Sequence, residues 1–179
     1  MNKSLAFIIA ALTLGVVPMA FAGGPMEQSQ FVLNGLGNVT NPGQPGCQFT
    51  PQGCTIAESG SFSSNEGNGN WVASLHIDWA HATSNGQGGY CAPTDGSSTL
   101  SFTGDGTLLT AVSGQVCEVG PTATGAPHFL AGTFDVISGT GAFAGTTGSG
   151  AFSGADNGAG AVRSYMNGFL ERACYRKDC

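Results

Sequence analysis

Gly132-Thr133-Phe134-Asp135-Val136-Ile137-Ser138-Gly139-Thr140-Gly141-Ala142-Phe143-Ala144-Gly145-Thr146-Thr147-Gly148-Ser149-Gly150-Ala151-Phe152-Ser153-Gly154 is the stretch on which the fold turns. Phe134, Val136 and Ser138 alternate with Asp135 and Ile137, which predicts a β-strand. Gly139 and Gly141 then break it, because glycine alone reaches positive φ without steric cost. Ala142-Phe143-Ala144 reads as a short turn carrying one aromatic, Gly145 and Gly148 reverse the chain, and Ala151-Phe152-Ser153 starts another strand. The unit is strand, glycine corner, aromatic plug, glycine corner, strand. Its structural residues are Gly139, Gly141, Phe143 and Gly145.

Outward from this corner the same alternation recurs. Ser29 to Leu36 reads as a strand with Phe31 and Leu33 on one face, and Cys54 to Ser64 as a second with Ile56, Glu58, Gly60 and Phe62 together. Trp71 to Ala82 reads as the longest strand, with Trp71, Ala73, Leu75, Ile77 and Trp79 opposite Val72, Ser74, His76, Asp78 and Ala80. Thr83 to Asp95 reads as a glycine-rich loop. Ser97 to Thr103 and Thr107 to Val119 form a hairpin about Gly104-Asp105-Gly106. His128 to Ser138, a strand beginning at Ala151, and Ala161 to Arg172 complete about eight strands. No stretch shows a helical period. The predicted fold is all-β, an eight-stranded antiparallel up-and-down β-barrel, which removes the open sheet edges an exported β protein must control.

Residues 1–22 read as a signal peptide. Lys3 supplies the positive end, Leu5 to Val17 the apolar run, and Ala20-Phe21-Ala22 the cleavage site, so Gly23 is the expected first mature residue of a single domain over residues 23–179. The apolar run is short for a bilayer span, and no other stretch approaches that length, so no membrane span is expected after removal. The expected location is secreted or periplasmic. Six cysteines follow the leader, an even number that reads as a disulfide framework in an exported chain. Across the hairpin, with Thr103 facing Thr107, Cys117 falls opposite Pro93, and a small bulge aligns it with Cys91. Cys47–Cys54 and Cys174–Cys179 are pairings from proximity only, and crossing between them is the alternative. With no Cys-x-x-Cys pair, no metal site and no cofactor are expected.

The net charge is −6, and there is no Lys or Arg from Gly23 to Val162. Nucleic-acid binding needs basic side chains against phosphate, so that partner is excluded. Oligomerisation is left open.

The Gly139 to Gly150 corner following Gly132-Thr133-Phe134-Asp135-Val136 resembles the hallmark of the allene oxide cyclase barrel-like superfamily, which includes dirigent proteins and exported bacterial members of unknown role. The hairpin from Thr99-Leu100-Ser101-Phe102 to Val116-Cys117-Glu118 is similar to its bacterial members. The resemblance spans about Asn70 to Glu171 and implies an eight-stranded antiparallel barrel with an apolar interior. The additional cysteines and the proline loop depart from the plant pattern. No plant catalytic residue can be placed here by motif, and a fold hosts unrelated functions.

Catalytic signals are weak. His76 and Asp78 share one strand face and could do acid–base work, with His81 predicted to point the other way; a solvated or structural pair is the commoner use of such residues. Arg163, Tyr165 and Asn167 share a face of the last strand, where Arg163 could pair with Glu58 or Asp78 or contact an anion. Gly139-Thr140-Gly141 is not a dinucleotide fingerprint, and no serine sits in a nucleophile elbow. The catalytic candidates are therefore His76, Asp78 and Tyr165, and the ligand-binding candidates Trp71, Trp79, Phe134 and Arg163. The expected function is a non-catalytic exported barrel that binds a small apolar molecule, or serves an extracytoplasmic interaction, with Trp71, Leu75, Ile77, Trp79, Phe134 and Phe169 dominating any binding. A cyclase or isomerase acting in a barrel pocket is one alternative, and a filled structural barrel is the other.

Overall fold

The computed structural model describes residues 26–41, 53–120 and 126–173. The expected leader and the start at Gly23 lie outside these residues, as do Cys47, Cys174 and Cys179. The strands are β1 (Met26–Val39), β2 (Cys54–Ser64), β3 (Gly67–Ile77), the two-residue β4 (Thr83–Ser84), β5 (Tyr90–Phe102), β6 (Gly106–Glu118), β7 (His128–Gly139), β8 (Thr147–Asp156) and β9 (Ala161–Ala173). Every pairing is antiparallel and each long strand bonds its sequence neighbours. β3 pairs with β5, and β1 pairs with β9 from Met26↔Ala173 to Asn38↔Ala161. Eight long strands thus close into an up-and-down barrel, with β4 appended to the start of β5.

Three expectations are corrected in detail. The Trp71 strand starts earlier and ends at Ile77, so β1, not β3, is the longest. The Asp78 N–H bonds the Pro93 carbonyl, and a 3-10 turn over Trp79–His81 follows. Tyr90 to Asp95, expected in a loop, belongs to β5. The hairpin register also differs. Phe102 faces Gly106 across Thr103-Gly104-Asp105, which brings Cys91 directly opposite Cys117. The Cys91–Cys117 disulfide forms there without any bulge. Cys54 is disulfide-bonded as well.

The period-two pattern places one face of each strand inside. At one end, which holds the β1 start and the β5–β6 turn, the bore is solid. Phe62 packs edge-on to Phe102 at 5.0 Å, and Phe102 lies 4.3 Å from Phe143 between ring centroids. Phe143 sits in the 3-10 turn Gly141–Phe143, is 2% exposed, and is overlain by the Arg172 guanidinium 4.8 Å from its ring centre. Arg172 is in turn held by Glu66 at 2.6 Å. The corner expected around Phe143 is therefore the plug of one barrel end. Gly141 takes φ of 60° there, and a Cβ would overlap the Asp105 carbonyl.

Halfway along the bore, the Trp71 indole lies across β1 where Gly35 and Gly37 face inward. Cβ atoms on those glycines would meet its Nε1 and Cζ2 atoms, so a flat ring occupies the space two side chains would fill. Phe31 and Phe134 meet edge-on at 6.1 Å beside it. Burying each such ring contributes roughly 1.5–3 kcal/mol. Phe134 belongs wholly to this core.

Candidate functional site

Toward the opposite end the core opens into a cavity of about 160 Å³. Trp71, Ala73, Leu75 and Ile77 of β3, with Trp79 of the following turn, form one wall. Leu100, Val112, Val116, Leu130, Phe152 and Met166 contribute the others. The volume resembles that of an engineered cavity that takes up benzene, and is below the roughly 300 Å³ at which drug-sized sites begin. The space suits one ring or a short chain.

The two acids and the histidine of this cavity come from three strands. On β2, the alternation that turns Ile56 and Phe62 inward also turns Glu58 inward. On β7 and β8, His128 and Asp156 are brought together by a register in which Phe129 faces Ala155. His128 Nδ1 lies 2.9 Å from Asp156 Oδ2, and the Gly158 N–H donates to Asp156 Oδ1 at 2.6 Å. Burial pushes the Glu58 carboxyl up to about 7, with the nearby Asp156 charge adding to the effect. A carboxyl in that range is poised to hold or release a proton near neutrality. The Trp71 indole N–H is a further buried polar group on the wall, and it has no hydrogen-bond partner among the described residues. Ser98 and Ser164 also border the cavity.

The sequence candidates distribute differently. Trp71 and Trp79 line the cavity; Phe134 does not, being packed beneath it. His76 and Asp78 face outward. Because the strand ends at Ile77, Asp78 pairs with His81 at 2.6 Å, not with His76. That hydrogen bond holds the Asp78 carboxyl below its ordinary range. Arg163 is exposed on the outer face of β9 and borders a separate depression with Leu36, Ala155 and Asn157. Its expected pairing with Glu58 or Asp78 does not occur, since Glu58 points inside and the ion pair of Asp78 is with His81. Tyr165 touches the cavity edge but is 40% exposed, and Phe169, expected inside, is 53% exposed. Val162, Met166 and Leu170 hold the inward positions of that strand. No group of three or more potential metal ligands occurs among the described residues.

His128 and Asp156 had not been singled out from sequence, because their meeting depends on the register across the Phe143 corner. Glu58 carried a readable signal: a carboxylate alternating in step with Ile56 and Phe62.

Fold and site together define a closed β-barrel, plugged at one end, with a compact apolar cavity at the other. No family model, no curated protein and no solved structure matches the chain.

Proposed function

We propose that this protein is an exported barrel that binds a small, mostly apolar molecule in the cavity beside Trp71 and Trp79. The observation that carries the reading is the cavity itself: an apolar space inside a barrel whose other end is solid with aromatic rings. It favours binding over a filled structural barrel. The barrel is the architecture implied by the resemblance to the allene oxide cyclase barrel-like superfamily, and kinship with that superfamily is part of the proposal. The Cys91–Cys117 bridge is consistent with an oxidising, extracytoplasmic environment. No helix among the described residues is long and apolar enough to cross a membrane.

Size sets the strength of binding. One ring removing on the order of 150 Å² from water gains about 4 kcal/mol, which corresponds to a millimolar dissociation constant. Tighter binding requires the polar groups at Glu58 and Asp156. Those groups also motivate a second reading, a cyclase or isomerase in which Glu58 transfers a proton within the cavity.

A thermal-shift screen of monocyclic compounds, short-chain lipids and sugars tests both readings. A ligand at 100 times its dissociation constant adds about 2.7 kcal/mol of stability. Monocyclic hits that survive His76→Ala and Asp78→Asn and are recovered unchanged support the binding module. Turnover of a hit, lost in Glu58→Gln, replaces it with the enzyme.

A further inference from the structure

We propose that the cavity's ligand is a small organic cation, an aromatic or alicyclic primary amine whose ammonium sits between Glu58 and Asp156 and whose ring fills the apolar space against Trp71. This rests on the binding reading above and names the ligand class for that same site.

Two carboxylates line a space with no lysine or arginine in its wall among the described residues. The Glu58 carboxyl makes no hydrogen bond or ion pair among the described residues, whereas Asp156 is fixed by His128 and the Gly158 N–H. The arginines of the described barrel are elsewhere: Arg163 lies on the outer face, and Arg172 is held by Glu66 at the plugged end. Among the described residues His128 is the one basic side chain lining the cavity, and it already engages Asp156. An acid enclosed by apolar walls either keeps its proton or takes a cation. A primary ammonium offers three donors for charge-assisted bonds to the two carboxylates.

A second unpaired polar group in the wall is Trp71, whose N–H calls for an acceptor on the ring portion of the occupant, since the ammonium only donates. Its Nε1 is a buried donor without an acceptor on a side chain 4% exposed, and the ring lies in the cavity wall. Such orphan groups are uncommon in folded proteins.

The reading carries a pH signature. The titratable groups that line the cavity with Glu58 are Asp156 from β8, His128 from β7 and, at the edge, the Tyr165 phenol from β9; β3 and β9 otherwise present Ala73, Leu75, Val162 and Ser164. An ammonium needs the ionised Glu58, so its apparent affinity falls with the ionised fraction as pH drops below about 7.

Benzylamine, benzyl alcohol and benzoate present one ring with positive, neutral and negative ends. Their dissociation constants are measured on the disulfide-intact protein at pH 8 and pH 5. At pH 8 the amine binds at least about tenfold tighter than the alcohol, and benzoate binds weakest. Between pH 8 and pH 5 the amine weakens by up to about 100-fold as Glu58 takes its proton, while the alcohol changes little. Glu58→Gln brings the amine to the level of the alcohol at pH 8. If that variant does not fold, the pH series on the unaltered protein carries the test. Alcohol binding as tight as amine binding at pH 8 overturns the cation and leaves the apolar binding module in place. No binding of any of the three overturns both.

Discussion

Replacing Glu58 by glutamine should remove a pH-dependent weakness of the fold. In the unfolded chain this carboxyl titrates near 4.5; inside the barrel it is pushed up to about 7 by burial and by Asp156. The folded state therefore binds the proton more tightly than the unfolded state. The stabilising contribution is complete below about pH 4.5 and disappears as pH rises through about 7. At about 1.36 kcal/mol per pH unit, the interval amounts to roughly 3 kcal/mol. Glutamine keeps the shape of the protonated acid and has no proton to lose. Urea unfolding of both proteins, with disulfides intact, between pH 4 and pH 8.5 should show Glu58→Gln gaining on the unaltered chain by about 3 kcal/mol, with most of the gain between pH 5 and pH 7. Taking the difference between the two curves cancels the carboxylates they share. Parallel curves across the whole range would refute the placement of Glu58 in an enclosed apolar wall.

Other perturbations test the frame around the cavity. Phe143→Ala should cost about 3–5 kcal/mol, because the ring is buried against Phe102 with Arg172 above it; a denaturant midpoint unchanged from the parent contradicts the plug. Gly141→Val places a branched side chain at φ of 60° with its Cβ against the Asp105 carbonyl, and should destabilise by at least about 1–3 kcal/mol in the same assay. Replacing Cys91 and Cys117 together by alanine should cost about 2–5 kcal/mol, and peptide mapping without reduction should recover those two cysteines in one linked fragment. Asp156→Asn removes the negative neighbour of Glu58, so the midpoint of the Glu58 stability curve should move to lower pH.

How much of this could be read from sequence differs by element. β2 was delimited from its alternation alone, Cys54 to Ser64, and Phe143 stood out because one aromatic between glycine corners has little use except as a plug. The Cys91–Cys117 pairing followed from hairpin logic although the register was displaced. A three-residue tip can be set as Gly104-Asp105-Gly106 or one position earlier as Thr103-Gly104-Asp105, and the two glycines permit both. The apolar face of β3 was readable through Trp79, but the end of the strand was not. Trp79 is buried from the 3-10 turn as it would be from a strand, so the pattern runs on after the strand stops. Because the strand stops at Ile77, Asp78 lies on His81 and the expected pair with His76 does not form.

The site was less legible than the fold for a physical reason. Its polar groups are separated by 28 residues between His128 and Asp156, and by a larger interval to Glu58. Only closure of the barrel brings β2 to the same cavity as β7 and β8. Strand periodicity reports which side a residue faces, not which distant residue it meets. Glu58 shows both halves of the lesson. Its inward direction was visible in the alternation with Ile56 and Phe62, while the apolar surroundings that raise its proton affinity depend on strands far along the chain.

The central claim is that ligand occupies the barrel interior on the Glu58 side, and filling that space tests it most directly. Ala73 lines the cavity from β3, so Ala73→Phe introduces a ring where the ligand ring would lie. Calorimetric titration with benzylamine at pH 8 should show binding to the parent protein and to the outer-face variant His76→Ala, with no heat of binding to Ala73→Phe while that variant still melts cooperatively. Undiminished binding to a folded Ala73→Phe protein, or binding lost in His76→Ala, would contradict the account and move the site to the outer surface of the barrel.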